Sequence, residues 1–359
     1  MRQSTGWTVA AAVVLAAGLL AYMQRGVIGM KLIEHEVRVR ASDADPLKAL
    51  PDGLHVGLCG AGSPLPDERR GGPCHVVVAG RRMFVIDAGS GAPRRIVQMR
   101  LNVGQVEALF VTHYHSDHID GMGELMLQRW AQGAHRQSLP IYGPPGLGQV
   151  LDGFHGAYAL DRGYRIAHHG EQLVPPSGAG GTAHEFELDP QTGRRVLISE
   201  PDLEVAAFAV QHEPVHPAVG YRIRYKDRVV VFSGDTAQAQ AVARESRGAD
   251  VLIHEALSAE MVGMFERSFR EAGRANLAHV MHDILGYHTT PEEAAELARQ
   301  AGVRALVFSH IIPVLPPGME EVFSGKAAQI FHGPIHVGVD GDWITLPAGS
   351  PVISIGRRS

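Results

Sequence analysis

Apolar residues recur along this chain in short runs separated by Gly, Pro and polar turns, which is the pattern of strands more than of long amphipathic helices. Residues 54–59 (LHVGLC), 75–79 (HVVVA) and 82–87 (RMFVID) are three such runs, with a tight turn at Gly80 and Arg81. Residues 107–112 (EALFVT) form a fourth, followed at once by a histidine-rich segment and then by the helical stretch GMGELMLQRWAQ. Further runs at 139–142, 203–210, 221–225, 229–232, 251–254 and 304–308 read as strands, and the Gly/Pro-rich stretch 175–182 reads as a loop. Helices are expected over 237–245 and over 291–301, the second with Pro at its start and acids in its first turn. Strands and helices interleave throughout, which predicts an α/β protein of two sheets covered by helices.

One segment departs from this alternation. No charged residue occurs between Arg2 and Arg25, and the stretch after Trp7 (TVAAAVVLAAGLLAYM) has no polar face to show water. It is read as a membrane-targeting segment, longer than the apolar region of many signal peptides and shorter than a span of about 20 residues. A cleaved signal and an uncleaved anchor both fit that length, and the lack of a convincing cleavage site favours the anchor. The expected organisation is a signal or anchor segment over 1–30, a linker over 31–50, a catalytic domain over 51–350 and a tail over 351–359. The protein is thus expected at a membrane on the extracytoplasmic side, or secreted if the segment is removed. Arg25, Lys31, Arg38 and Arg40 after the segment, against Arg2 before it, pull mildly toward the opposite orientation.

Composition changes the picture only by exclusion. With 45% apolar and 20% charged residues in 359, the chain can bury a large core and is not a disordered protein. A net charge of −5 and the lack of a long Lys/Arg run advertise no broad nucleic-acid surface. The two cysteines, Cys59 and Cys74, flank a Gly/Pro-rich loop, and a disulfide or two buried thiols would both suit them. Neither has a second cysteine at zinc-finger spacing. No Gly-x-Ser-x-Gly elbow, P-loop or dinucleotide fingerprint is present to suggest other chemistry.

The segment Thr112-His113-Tyr114-His115-Ser116-Asp117-His118 places three imidazoles and a carboxylate within six positions, directly after an apolar strand. Along an extended backbone His113 and His115 point the same way and can serve one ion, while a turn after Ser116 would aim Asp117 and His118 at a second. Nitrogen and oxygen donors without thiolates suit zinc, and also manganese or iron. Four donors cannot saturate two ions. Partners stand just past the ends of later strands: His212, Asp235 after VVVFSG, and His310 after ALVFS. Asp235 takes a bridging role most naturally, because a carboxylate has two oxygens to share.

These segments, THYHSDH with HEPVHPAVGYRI, FSGDT, LIHEA, YHTT and FSHIIP, resemble the ribonuclease Z and arylsulfatase branch of the metallo-β-lactamase superfamily over roughly residues 54 to 347. The opening CGAGSPLP and VIDAGSG resemble it too, with Asp87 in the position of a buried acid near the metals. The resemblance implies a four-layer αββα metallo-β-lactamase fold. It implies one zinc on His113, His115 and His212, another on Asp117, His118 and His310, and Asp235 between them. It also implies that Glu255 orients His288, whose imidazolium can protonate a leaving group. His254 is expected to be structural, and His216 to line the pocket or face solvent. His279, His282 and Asp283 are expected on an ordinary helix, although they offer donors for a third ion.

Two zinc ions about 3.5–4 Å apart can hold a hydroxide between them for attack on an ester, with Asp117 taking the water's proton. The expected enzyme is therefore a binuclear zinc hydrolase. A compact phosphodiester, phosphate ester or sulfate ester is the leading substrate, given the acidic balance and the membrane-targeting segment. Transfer-RNA 3′ processing is the alternative, with lactone hydrolysis and a non-catalytic metal-binding sensor behind it. A homodimer is compatible with all of these.

Overall fold

The computed structural model describes residues 4–41 and 45–358, which fall into two compact units, Met1–Ala49 and Leu50–Ser359. The first unit is helical, with Ser4–Met23 followed by Arg25–Ala41. Among the described residues no single helix is long and apolar enough to cross a membrane. Val13–Met23 and Arg25–Val39, bent by 66°, meet that requirement as a pair. The linker expected from residue 31 is thus helical as far as Ala41, a stretch without Pro in which Glu34 pairs with Arg38 one turn on.

The second unit carries two sheets. Its strands are β1 (Gly53–Gly60), β2 (Cys74–Ala79), β3 (Arg82–Ile86), β4 (Val106–Phe110), β5 (Leu139–Gly143), β6 (Gly181–Glu185), β7 (Arg194–Ser199) and β8 (Leu203–Ala209). They continue with β9 (Val219–Tyr225), β10 (Arg228–Phe232), β11 (Val251–Leu257), β12 (Ala305–Ile312), β13 (Ile335–Val337), β14 (Asp342–Pro347) and β15 (Ser354–Arg357). One sheet has the order β15-β14-β1-β2-β3-β4-β5-β6 and the other β13-β12-β11-β10-β9-β8-β7.

Alternation along the strands explains why the sheets stack. Val230 and Phe232 of β10, and Val251 and Ile253 of β11, join Val56, Val77 and Phe84 of the first sheet in a shared core. Val231 and Leu252 point the other way. They meet Ala294 and Ala298 of helix Pro291–Ala301 in a second apolar cluster. That helix starts with a capping box, Thr290 and Glu293 satisfying each other's backbone, and ends at Gly302 in the left-handed conformation. Helix Met122–Gly133 buries Met122, Leu125, Met126 and Trp130, while helix Ala92–Gln98 packs on β1. The layers run helix, sheet, sheet, helix.

Three local expectations change. The tail over 351–359 contributes β15, which pairs with β14 and sets Ile353 and Ile355 against the core. The loop over 175–182 ends in the start of β6, paired with β5. The helix expected from 237 starts at Gln240, because Ala237 N–H donates to Gln211 O and keeps this stretch out of the helical ladder.

Cys59 and Cys74 form a disulfide between β1 and β2, with 4.9 Å between their Cα atoms and 15 positions between them in sequence. The bond is buried and closes the loop between β1 and β2. Replacing both cysteines by serine is expected to lower unfolding stability by about 3 kcal/mol, the loop-closure entropy for this separation. Denaturant titration checks it, and an unchanged midpoint would show that the bond constrains nothing.

Candidate metal centre

Parallel pairing of β3 with β4, of β10 with β11 and of β11 with β12, and the double reversal from β8 through β9 to β10, brings several strand ends to one edge. The loops after β4, β8, β10 and within β12 therefore converge. Past β4 the chain stays extended through His115 and then turns into the short helix Ser116–Ile119, which swings Asp117 and His118 back toward His113. Gly234, with φ +62°, makes the turn that presents Asp235; a Cβ there would lie 2.6 Å from Val219 O. His310 holds φ +47° opposite a register shift between β11 and β12, which re-aims its side chain.

The donors form two main groups, and a third set, Asp235, His288 and His310, overlaps them. His113, His115, His212 and Asp235 make the first main group, and Asp117, His118 and His310 make the second. In the first, His115 Nδ1 lies 3.0 Å from His113 Nε2 and 3.3 Å from His212 Nε2. In the second, Asp117 Oδ2 lies 3.3 Å from His310 Nε2 and 3.5 Å from His118 Nε2. A single oxygen, Asp235 Oδ2, stands 3.2 Å from His310, 3.3 Å from His118 and 3.9 Å from both His113 and His212. It faces both groups at once.

The chemistry of these donors fits divalent ions. His118 Nε2 is buried without a hydrogen bond although two carboxylates flank it, which is the arrangement a shared ion explains. The far nitrogens are anchored: His118 Nδ1 donates to Asp87 Oδ2 at 2.8 Å, His113 Nδ1 to Thr112 Oγ1 at 3.1 Å, and His212 Nδ1 to Tyr287 O at 3.0 Å. Such partners fix tautomer and aim. Asp87, at φ +55°, also accepts from Thr112 N and Oγ1, so one buried acid organises the whole histidine run.

Burial and mutual repulsion set the charges. Burial, then the neighbouring His118 charge, push His113 well below its ordinary value. Burial works the same way on His118, but the Asp235 and Asp87 carboxylates outweigh it and hold that imidazole well above. Burial raises Asp235, and the imidazoles of His310 and His118 overcome it, leaving a carboxylate well below its usual range.

Beside the donors stands His288, whose Nδ1 lies 3.0 Å from Glu255 Oε1 and whose ring stacks on His310 at 5.4 Å. Glu255 Oε1 also accepts from Thr236 N and Thr289 N. Burial, with the Asp235 charge added, pushes the Glu255 carboxyl well up, and burial pushes His288 down. His254 is buried and donates to Glu255 O, a structural bond. His216 is exposed, 3.8 Å from Glu213. His279, His282 and Asp283 sit on helix Ala275–Asp283 with His279 and His282 mostly in solvent, and they join none of the donor groups among the described residues.

Thr112, Thr236 and Tyr287 stand within the quoted motifs, but their parts as hydroxyl acceptor, backbone N–H donor and carbonyl acceptor carry no sequence signal of their own.

A two-sheet α/β sandwich with histidine and aspartate donors gathered at the strand ends defines a metal-dependent hydrolase. Residues 82–311 match the Beta-lactamase superfamily domain. Ribonuclease Z of Mycolicibacterium gilvum is 34% identical over 80% of this chain and 94% of its own length, and that of Mycobacterium bovis 34% over 80% and 96%. Among solved structures, the short form of human tRNase Z superposes with a TM-score of 0.59 at 22% identity, covering 82% of this chain and 99% of that one. The metallo-beta-lactamase fold protein YhfI of Bacillus subtilis gives 0.58 at 18%, covering 84% and 99%. The chain belongs to the metallo-β-lactamase superfamily, in its ribonuclease Z branch. The expected αββα fold holds.

Proposed function

We propose that this chain binds two zinc ions and acts as a ribonuclease Z, an endoribonuclease that cuts a phosphodiester in transfer-RNA precursors. The observation that carries the reading is the position of Asp235 Oδ2 between two donor groups, with the His288–Glu255 pair alongside. Imidazole and carboxylate donors suit zinc. RNA stands ahead of the compact ester expected first, because relatives named ribonuclease Z align over 94–96% of their length. The net charge of −5 argues otherwise, but a sum over the whole chain says nothing of the local field around one cleft.

When bound, the ions supply Lewis acidity to the scissile phosphate and lower the pKa of water. The protein's own groups do the rest. Asp117, less deeply buried than Asp235, takes the proton of the attacking water. His288 delivers a proton to the departing oxygen, and Glu255 holds the tautomer and direction of its ring. Thr236 N and Thr289 N keep the Glu255 carboxyl from turning away.

A second reading is favoured by one observation, the Cys59–Cys74 disulfide. Disulfides persist in oxidising compartments. The exposed Val13, Val14, Leu15, Leu19 and Leu20 on an uncharged helix support attachment of the first unit to a membrane. On this reading the catalytic unit lies outside the cytoplasm and its cellular substrate is a compact phosphodiester or other small anionic ester.

Detergent-solubilised, zinc-loaded full-length protein is expected to cut a labelled transfer-RNA precursor at one site and to turn over an aryl phosphodiester, with aryl sulfate and lactone much slower. Turnover of small esters without any cut in the precursor would defeat the ribonuclease reading. A phosphatase reporter fused after residue 359 separates the locations: an active reporter supports the extracytoplasmic placement, and an inactive one refutes it while leaving the chemistry in place. Deleting residues 1–30 is expected to release the fusion from the membrane.

A further inference from the structure

Of the four buried imidazoles in the donor groups, three anchor their far nitrogen on Thr112, Asp87 or the Tyr287 carbonyl. His310 does not. Its Nε2 faces Asp117 and Asp235, while its Nδ1 is buried without a hydrogen-bond partner. Among the other buried atoms without a hydrogen-bond partner are His75 Nδ1 and Glu255 Oε2, besides the metal-facing His118 Nε2.

His310, His75 and Glu255 line one cavity of about 20 Å³ between the sheets, walled also by Phe232, Ile253 and Ser309. His118, Asp235 and His310 of the donor set also line it, whereas His113, His115, Asp117 and His212 do not, so the cavity adjoins the metal centre on the side of His118 and His310. A single water needs roughly 10–15 Å³ and two to four polar partners. The cavity offers room for one, and three partners.

We propose that this cavity is a binding site for one ordered water that joins His310 Nδ1, His75 Nδ1 and Glu255 Oε2, making His75 a positioning residue for the metal centre. The valences close. The water accepts from His310 Nδ1–H and donates its two hydrogens to Glu255 Oε2 and His75 Nδ1. His75 keeps its own proton on Nε2 and donates it to Ser309 Oγ at 3.0 Å. The neutral state of His75 agrees with this, since burial pushes that imidazole down to about 3. His75 thereby ties the aim of a metal donor, His310, to the carboxyl that orients His288. The inference rests on the two-zinc reading.

The test is zinc affinity, measured on the full chain by chelator competition. His75→Leu is expected to weaken one of two zinc sites by about 10–100-fold and to leave the other unchanged, the usual cost of losing an outer partner of a ligating histidine. His75→Asn keeps an acceptor close to the position of Nδ1 and is expected to recover most of the loss. Equal affinities in His75→Leu and the unsubstituted chain would overturn the role of His75 and leave the two-zinc reading standing. An unsubstituted chain that binds no zinc would overturn both. A high-resolution crystal structure of the zinc-bound, unsubstituted protein decides independently of whether the variants fold. Density for a water within hydrogen-bond distance of all three atoms is expected, and an empty cavity refutes the proposal.

Discussion

Asp235→Ala is expected to strip both zinc ions from the protein, where His310→Ala strips one. The reason is geometric: Asp235 Oδ2 lies within 3.9 Å of an inward nitrogen of His113, His118, His212 and His310, while His310 Nε2 lies 3.3 Å from Asp117 and 3.2 Å from Asp235. Removing an outer partner of a metal ligand costs about 10–100-fold in metal affinity, so removing a donor shared by two ions must cost more than that at each. The alanine also leaves His118 without the larger of the two carboxylate attractions that hold its charge, which adds repulsion among the imidazoles. Elemental analysis after dialysis and zinc reconstitution reads the result. Close to two ions retained by Asp235→Ala would remove the bridging role, and one ion retained would assign Asp235 to a single site.

His288→Ala is expected to keep both ions and lose about 10²–10⁴ in turnover on a precursor RNA, whose departing alkoxide needs a proton. On a nitrophenyl phosphodiester the same variant should lose far less, because nitrophenolate leaves unaided. Glu255→Gln should follow the same pattern more weakly: the amide still reaches His288 Nδ1 but no longer favours the donor tautomer or a charged ring. The contrast between leaving groups separates proton delivery from the alternatives. Equal losses on both substrates, with metal intact, would make His288 a substrate-positioning group. Its ring stacks on His310 and lies 5.3 Å from the ring of His212, so a lost ion would instead show that it supports the donor set.

Much of the catalytic unit is legible in the amino-acid sequence. Strands such as 75–79 and 229–232 are short, β-branched and bounded by Gly or charged turns, so local propensity and packing agree on them. The donor run His113 to His118 is legible because polar groups that dense, directly after a buried strand, have no packing explanation. Strands β6, β7 and β15 are hidden for the opposite reason. Each lies at or near a sheet edge with mostly exposed side chains, as in GTAHE and SIGR, so it shows neither a continuous apolar run nor a clean alternation.

What the sequence by itself supplied is a set of candidate groups: seven metal donors read from residue type and spacing, and, through the family resemblance, the pairing of Glu255 with His288. Tertiary structure decided how they act together. That Asp235 presents one oxygen to both groups depends on the turn at Gly234, and the aim of His310 on a left-handed residue opposite a slip between β11 and β12. That Cys59 and Cys74 are bonded depends on β1 pairing with β2. Asp87 and Thr112 stand 25 positions apart and His75 and Ser309 stand 234 apart, so only sheet register could show that they touch. Side-chain chemistry is local and is written in the residue itself, whereas hydrogen-bond partnership within an ångström is a property of the packed sheets.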